Sequence, residues 1–459
     1  MSSRSCNSGR LFATASIAFA ALLPAASALA QDATPFRPER FDEDWSGVGA
    51  DDATYGTQFK NLEVADGVTL SIGGDARWRF SVLDAPRLGL GGTEDDEWLL
   101  QRLLLHADLH FADNARVFMQ LGAHDGIGRE IPAATDDNRV DVQQAFFDIY
   151  APLLGGKLTV RAGRQELSLG PRFTTTRDSG NVRQRHDLVR LIYTNGPWRA
   201  DLFGGSPVVD ERGAFDDNAD VGQDFYGARI ERTMGATTLD IYAYELDRDT
   251  ATLGGETEND DRVSIGARFY GRKGDMDFDS EVMIQRGAFG GDDIRAVGGT
   301  VDLGWRFPDA PLGPRIGGRI TYGSGDSDLA DDTQGTFAPP FPNSQWFGQN
   351  GLASFSNTVE TAAIVALNPA EHVTLNLKFS SVWRSETADF AYAGSSALAG
   401  TSGGDDSFVG RAAAASLAWR PNDNVLINPY VSYVAVGDDL ISRGAHDVTY
   451  THLSVTLRF

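Results

Sequence analysis

From Val68 to Phe459 the chain repeats one unit, a run of alternating apolar and polar residues ended by Gly, Asp, Asn or Pro. At the C-terminus Leu453, Val455, Leu457 and Phe459 alternate with His452, Ser454, Thr456 and Arg458. Near the start Leu70, Ile72, Ala76, Trp78, Phe80 and Val82 alternate with Ser71, Asp75, Arg77, Arg79 and Ser81. Val373, Leu375, Leu377, Phe379 and Trp383 alternate in the same way with Thr374, Asn376, Lys378, Ser380 and Arg384. Successive strand side chains point to opposite faces, so each run predicts a strand with one apolar and one charged face. Such runs fall at 68–82, 98–111, 115–124, 140–150, 157–167, 186–194, 197–205, 223–233, 236–247, 261–271, 276–288, 294–307, 314–323, 355–367, 372–384, 407–420, 424–437 and 449–459. These are about eighteen strands, an even number as in bacterial membrane barrels.

Alternation alone fits a soluble sandwich as well as a barrel in lipid, and the connections decide between them. After even-numbered strands they are short: Asp113-Asn114, Asn195-Gly196, Met234-Gly235, Asn368-Pro369 and Pro421-Asn422-Asp423. After odd-numbered strands they are mostly long and acidic. Short periplasmic turns and long external loops mark an outer-membrane barrel, and a sandwich gives no reason for them. The expected fold is therefore all-β: a closed antiparallel transmembrane barrel over residues 62–459, its apolar face in lipid and its polar face lining a lumen.

Residues 1–30 read as a secretion leader. Arg4 and Arg10 precede an apolar run from Leu11 to Leu23, and Ala28-Leu29-Ala30 predicts cleavage before Gln31. Residues 31–61 are polar, acidic and contain proline, and are expected as an extended periplasmic segment. The chain carries 64 acidic and 40 basic residues, a net charge of −24. Such a surface repels nucleic acid. The single cysteine, Cys6, lies in the leader, so no disulfide is expected in the secreted chain.

Charge is unevenly placed. Asp-Asp doublets at 95–96, 136–137, 216–217, 260–261, 292–293, 331–332, 405–406 and 438–439 all fall in expected external loops. They read either as a solvated loop surface or as ligands for divalent cations such as Ca. One external loop, Ser168–Arg185, has no doublet. Around it, Arg161, Arg164, Arg172, Arg177, Arg183, Arg185, Arg190 and Arg199 face only Glu166, Asp178 and Asp187. Guanidinium groups suit carboxylate and phosphate, and rings of them select anions in pores. This loop is expected to enter the lumen, with Arg161, Arg172, Arg185 and Arg190 near the narrowest point. Strand phase adds Arg77, Arg79, Arg102, Arg319, Lys378 and Arg384 to the candidate solute-binding set. Arg164 belongs to it only if a bulge at Gly163 turns it inward. The other reading is an ion-pair lattice in the wall, since Asp75, Asp108, Asp148, Asp201, Glu231, Asp240, Asp279 and Glu281 share the luminal face.

These motifs resemble the alginate-export family of outer-membrane porins. The resemblance is carried by Gly163-Arg164-Gln165-Glu166-Leu167 with Gly170 and Arg172, and by Arg185 with Asp187-Leu188-Val189. Trp198, Asp201 and Phe203 follow, then Pro339-Pro340-Phe341-Pro342-Asn343, Trp346-Phe347-Gly348 and Trp383-Arg384. It implies an eighteen-stranded barrel with an arginine-rich constriction passing an anionic polysaccharide, and a terminal aromatic, Phe459, read by the barrel-assembly machinery. The acidic rim departs from that picture, because it opposes a polyuronate at the mouth. The alternatives are a general diffusion porin and a non-conducting, adhesive barrel with cation-binding loops. Enzymatic activity is not expected. His106 with His110, and His452 with Ser454, share the luminal face without an identifiable third group, and no Walker loop, nucleophile elbow or zinc cluster is present. The expected surroundings are outer-membrane lipid and an anionic carbohydrate or small solute, with no organic cofactor.

Overall fold

The computed structural model describes residues 36–48, 56–90, 95–130, 132–178, 180–343, 345–349, 351–394 and 396–459. The expected leader and its cleavage point lie outside these residues.

Eighteen strands make the wall. They are β1 (Val68–Asp84), β2 (Asp95–Phe111), β3 (Ala115–Ile127), β4 (Asn138–Leu153), β5 (Gly156–Gln165) and β6 (His186–Asn195). Then come β7 (Trp198–Val209), β8 (Gln223–Met234), β9 (Thr237–Leu253), β10 (Glu256–Lys273), β11 (Met276–Phe289) and β12 (Asp292–Arg306). The last are β13 (Arg315–Gly323), β14 (Thr358–Ala370), β15 (Val373–Trp383), β16 (Phe408–Asn422), β17 (Val425–Val436) and β18 (Val448–Arg458). Each pairs antiparallel with its neighbours in the chain, and β18 closes on β1 from Asp75↔Arg458 to Leu83↔Tyr450. The sheet thus has no open edge, the condition for backbone to cross lipid as strands.

The ends of the strands differ from expectation chiefly on the long-loop side. Alternation predicts strands ending at 247 and restarting at 261, yet β9 runs to Leu253 and β10 starts at Glu256. Above the lipid the outer face turns polar, with Asp247 and Asp261 exposed, while Ala251 and Leu253 pack into the loop core, so pairing continues where the alternation has gone. Three Asp doublets expected in loops, at 95–96, 260–261 and 292–293, consequently sit in strands, and 438–439 opens a short helix, α1 (Asp438–Ser442). A doublet in a strand divides between faces. Asp96 and Asp260 are buried, Asp96 with Arg129 at 3.8 Å and Asp260 with Arg248 and Arg262, while Asp95 and Asp261 face outward.

The outer face is apolar, and about half of each large side chain there is accessible, for example Leu103, Leu202, Ile241 and Phe379. Trp198, Trp305 and Trp419 mark its short-turn edge and Tyr226, Tyr322 and Tyr433 its long-loop edge, as interfacial aromatics do in this class. Phe459 follows β18 and exchanges backbone hydrogen bonds with Gly74. Its ring lies on the outer side, where a Cβ at Gly74 would approach it to 3.1 Å. Deleting Phe459 is expected to lower the yield of barrel inserted in cells, and an unchanged yield would contradict that.

The lumen is partly filled from the long-loop side. The described residues of 166–185, between β5 and β6, and of 324–357, between β13 and β14, fold inward and zip together. Thr175 N–H donates to the Phe341 carbonyl (2.9 Å), Phe341 N–H to Phe173 (3.0 Å) and Asn343 N–H to Arg172 (2.7 Å). Phe173 packs edge-on to Phe337 and Phe355, and Phe341 to Phe225. This core anchors the loops to the wall at positions without a side chain. Phe337 covers Gly298, where a Cβ would come within 2.2 Å of its ring. The loops are thus part of the packed structure.

Candidate solute pathway

Two elements enter the lumen from opposite ends and meet. From the long-loop side, the described residues of segment 166–185 span the interior. Its Asp178 reaches Arg102 of β2 (2.7 Å) and Arg77 of β1 (3.8 Å). Arg77 also donates to the carbonyls of Asp178 (2.9 Å) and Gly180 (2.7 Å). Near the other end Arg172 meets Asp279 and Glu281 of β11, both at 2.8 Å. The loop is therefore held against two well-separated parts of the wall.

From the short-turn side comes Phe36–Val48. Residues 31–61 are expected in the periplasm, but Phe36–Val48 enters the barrel instead. Arg40 donates to the carbonyls of Gly74 (2.8 Å) and Phe459 (2.9 Å) and is buried with Glu43 at 2.5 Å. Phe41 packs edge-on to Phe146 (5.6 Å) and Phe118 (6.1 Å), and its carbonyl accepts from Arg116 (2.8 Å). Lys60 lies over Trp45 (4.9 Å). The contact between the two elements is Arg183 of the loop, which donates to the Pro38 carbonyl (2.8 Å) and lies 3.6 Å from Glu39. The segment enters the lumen because its aromatics find a nest there and its polar groups find partners in the charged wall.

The wall carries a lattice of ion pairs. Arg161 and Asp148 make a two-bond pair (2.8 and 2.9 Å). Arg190 lies 2.6 Å from Asp201, and Arg185 meets Asp210 (2.5 Å) and Asp217. Arg319 and Lys378 share Glu360 (3.3 and 2.6 Å). Of the residues expected near the narrowest point, Arg161, Arg172, Arg185 and Arg190 are thus each matched by carboxylates. Replacing Arg161 by Ala removes both short hydrogen bonds to the buried Asp148 and leaves it the more distant Arg116 (3.9 Å), so the cost falls at or below the low end of the range of about 3–5 kcal/mol for breaking a buried pair. The denaturation midpoint of that variant should fall while its ion preference stays unchanged, measured by refolding in denaturant and by bilayer recording.

Two candidates are corrected. Gly163 has φ +125° but makes no bulge, since Phe146↔Gly163, Ala145↔Arg164 and Arg164↔Asp187 pair in unbroken register. Arg164 keeps the outward phase and pairs with Asp187 (2.8 Å). Arg384 lies just beyond β15 and donates to the carbonyls of Thr387, Asp389, Thr401, Gly403 and Asp406, so it fastens the loop before β16. The histidines line the wall: His106 stacks on Phe118, His110 lies 3.2 Å from Asp108, and His452 stacks on Tyr430. Carboxylate oxygens of Asp141, Asp216 and Asp217 lie within 4.8 Å of one another. Arg185 and Asn138 already engage Asp217, and the backbone N–H groups of Val142, Asp216 and Asp217 engage Asp141.

Away from these pairs one side of the lumen stays cation-rich. Arg77, Arg79 and Arg102 climb β1 and β2, with Arg183 on the loop facing them and Asp75 and Asp178 among them. The side chain of Asp178 is 57% exposed to luminal space. Its interior position pushes its carboxyl up, but Arg102, Arg183 and Arg77 outweigh that and hold it well below the usual carboxylate range. Arg177, displaced to φ +50°, reaches a cavity of about 300 Å³ lined also by Gln184, Asp210, Arg248 and Pro340. Burial and Arg248 lower Arg177 to about 10, so it remains charged at neutral pH.

A closed eighteen-stranded barrel with apolar outside, charged inside and inserted loops defines the class: an outer-membrane channel. A sequence model described as "Alginate export" matches residues 68–453, and the chain belongs to the alginate-export family. Among solved structures it is similar to Pseudomonas aeruginosa OpdO, with 12% identity, TM-score 0.57, and coverage of 85% of this chain and 97% of that one. It is also similar to Pseudomonas aeruginosa OpdQ (12% identity, TM-score 0.56, 86% and 99% covered). A third is Pseudomonas aeruginosa OpdK with vanillate (10% identity, TM-score 0.53, 84% and 98% covered). At such identities the likeness is one of fold. No curated protein matches the chain.

Proposed function

We propose that the protein passes an anionic solute, a carboxylate-bearing saccharide or small organic acid, along the Arg77, Arg79 and Arg102 side of the lumen. The observation that carries this reading is the uneven distribution of pairing. Most of the wall is a matched lattice, whereas on this side several guanidinia share Asp75 and Asp178. A guanidinium binds a carboxylate through a planar pair of donors, and shared partners let a passing anion bind and leave. The family's description and the vanillate carried by OpdK, itself a carboxylate, point the same way. The inserted loops and the N-terminal segment narrow the path, which favours selective passage over general diffusion. The leader is removed before Gln31, freeing that segment to enter the barrel. The test is current block in a planar bilayer. An oligouronate should interrupt the current, and a neutral oligosaccharide of the same length should do so far less. Equal block by both would overturn the proposal.

Acidity should tune this path. Burial raises Glu166, which follows β5, to about 7, although Arg183 lies 2.9 Å away and opposes the rise. As pH falls through about 7 Glu166 takes up a proton, Arg183 loses a negative partner, and the lumen becomes more positive. Anion preference should therefore increase on acidification, and Glu166→Gln should hold it at the acidic level throughout. The same shift makes this group's contribution to stability greatest in acid, and that contribution is lost as pH rises through about 7.

A further inference from the structure

Outward-facing rim residues on β8–β10 are largely acidic, with Asp224, Glu245, Asp247 and Asp261 all exposed. On the next two strands the sign reverses. Arg286 of β11 and Arg295 of β12 are direct cross-strand partners, and both are exposed. Like charges placed directly opposite on adjacent strands weaken the pairing unless an anion lies between them. Arg286 donates to the Gln285 carbonyl (2.8 Å) and has no ion pair among the described residues. Arg295 lies 3.1 Å from Asp293, but that pair is well exposed and contributes little.

Their height matters. Trp305 marks the short-turn edge of the apolar band on the same strand as Arg295, about ten residues away. At about 3.3 Å per residue and a tilt of about 40°, that separation spans about 25 Å, the height of a barrel's apolar band. The two arginines therefore sit at its outer boundary. Below them Ile284, Val282, Ile265 and Val301 present an exposed apolar column.

We propose that Arg286 and Arg295 form a clamp for the phosphate of an outer-leaflet glycolipid, whose acyl chains lie along Ile284, Val282 and Ile265. Two guanidinia offer paired donors to phosphate oxygens. Asp261 and Asp293 flank the clamp and oppose a bare anion, so retention needs the acyl chains as well as the charge.

The test uses the full-length protein in detergent, offered a bisphosphorylated glycolipid of the lipid A type or its dephosphorylated form, with retention read by native mass spectrometry. The intact barrel should keep the phosphorylated form, and R286Q/R295Q should keep it about tenfold less, in line with loss of charge-assisted hydrogen bonds. Folding of the variant is checked by heat-dependent gel migration. If the double variant does not fold, R286Q and R295Q alone should each lose part of the retention. Equal retention by the variants, equal retention of the dephosphorylated form, or displacement of the glycolipid by inorganic phosphate alone would overturn the proposal.

Discussion

Channels lacking Phe36–Val48 should carry several-fold more current than the intact protein. The deletion keeps residues 1–35, so the expected leader is left intact. The segment occupies the short-turn half of the lumen, from the Arg40 contacts with Gly74 and Phe459 to the Arg183 contact with Pro38. Removing it widens the path along that whole length. Wall residues that it covers, including Phe118 and Arg116, then face water. Arg116 keeps Asp108 at 2.7 Å, so the wall itself should hold. A graded version is Phe41→Ala, which empties the aromatic nest between Phe118 and Phe146. Loss of such a buried aromatic costs about 3–5 kcal/mol, most of it here from docking of the segment. That variant should flicker between the narrow and wide current levels. An unchanged conductance in the deletion, with normal heat-dependent gel migration, would show that the segment does not restrict flow.

Replacing Arg77 and Arg102 by Glu should move the channel from anion towards cation preference. The change reverses two charges in a narrow, low-dielectric passage, where fixed charges act most strongly and salt screens them least. Asp178 loses two of its guanidinium partners and adds to the negative field. The contrast with Arg161 is the informative one. Arg161 carries the same charge but is taken by Asp148 in two bonds, so its loss should weaken the fold without moving selectivity. If the Arg77 and Arg102 changes leave ion preference where it was, solute does not pass along this side of the lumen.

The wall was readable in the sequence because lipid imposes a strict rule. On β1, β15 and β18 one face must be apolar, and alternation marks strand and facing together. Above the lipid the rule lapses, which is why the tops of β9 and β10 look like loop while their backbones still pair. Arg164 shows the strength of the same rule. Its simple phase points outward, and the glycine before it did not change that. The entry of Ser168–Arg185 was foreshadowed by its charge, but the partners were not, because Arg185–Asp217 and Arg172–Glu281 join residues far apart in the chain. The luminal position of Phe36–Val48 left a fainter trace. Phe36, Phe41 and Trp45 stand in a polar, acidic stretch where three aromatics have no reason to face water. Arg183 lay within the basic cluster, yet nothing local distinguished it from its matched neighbours as the residue that meets that segment.

The central claim, that the lumen favours anions despite a chain of net charge −24, is tested most directly by the reversal potential of the unmodified protein in a potassium chloride gradient across a planar bilayer. A reversal potential of the sign set by chloride, growing as the pH is lowered through about 7, is the predicted result. A potential of the sign set by potassium across the same pH range would mean that the acidic residues govern passage, and would contradict the account.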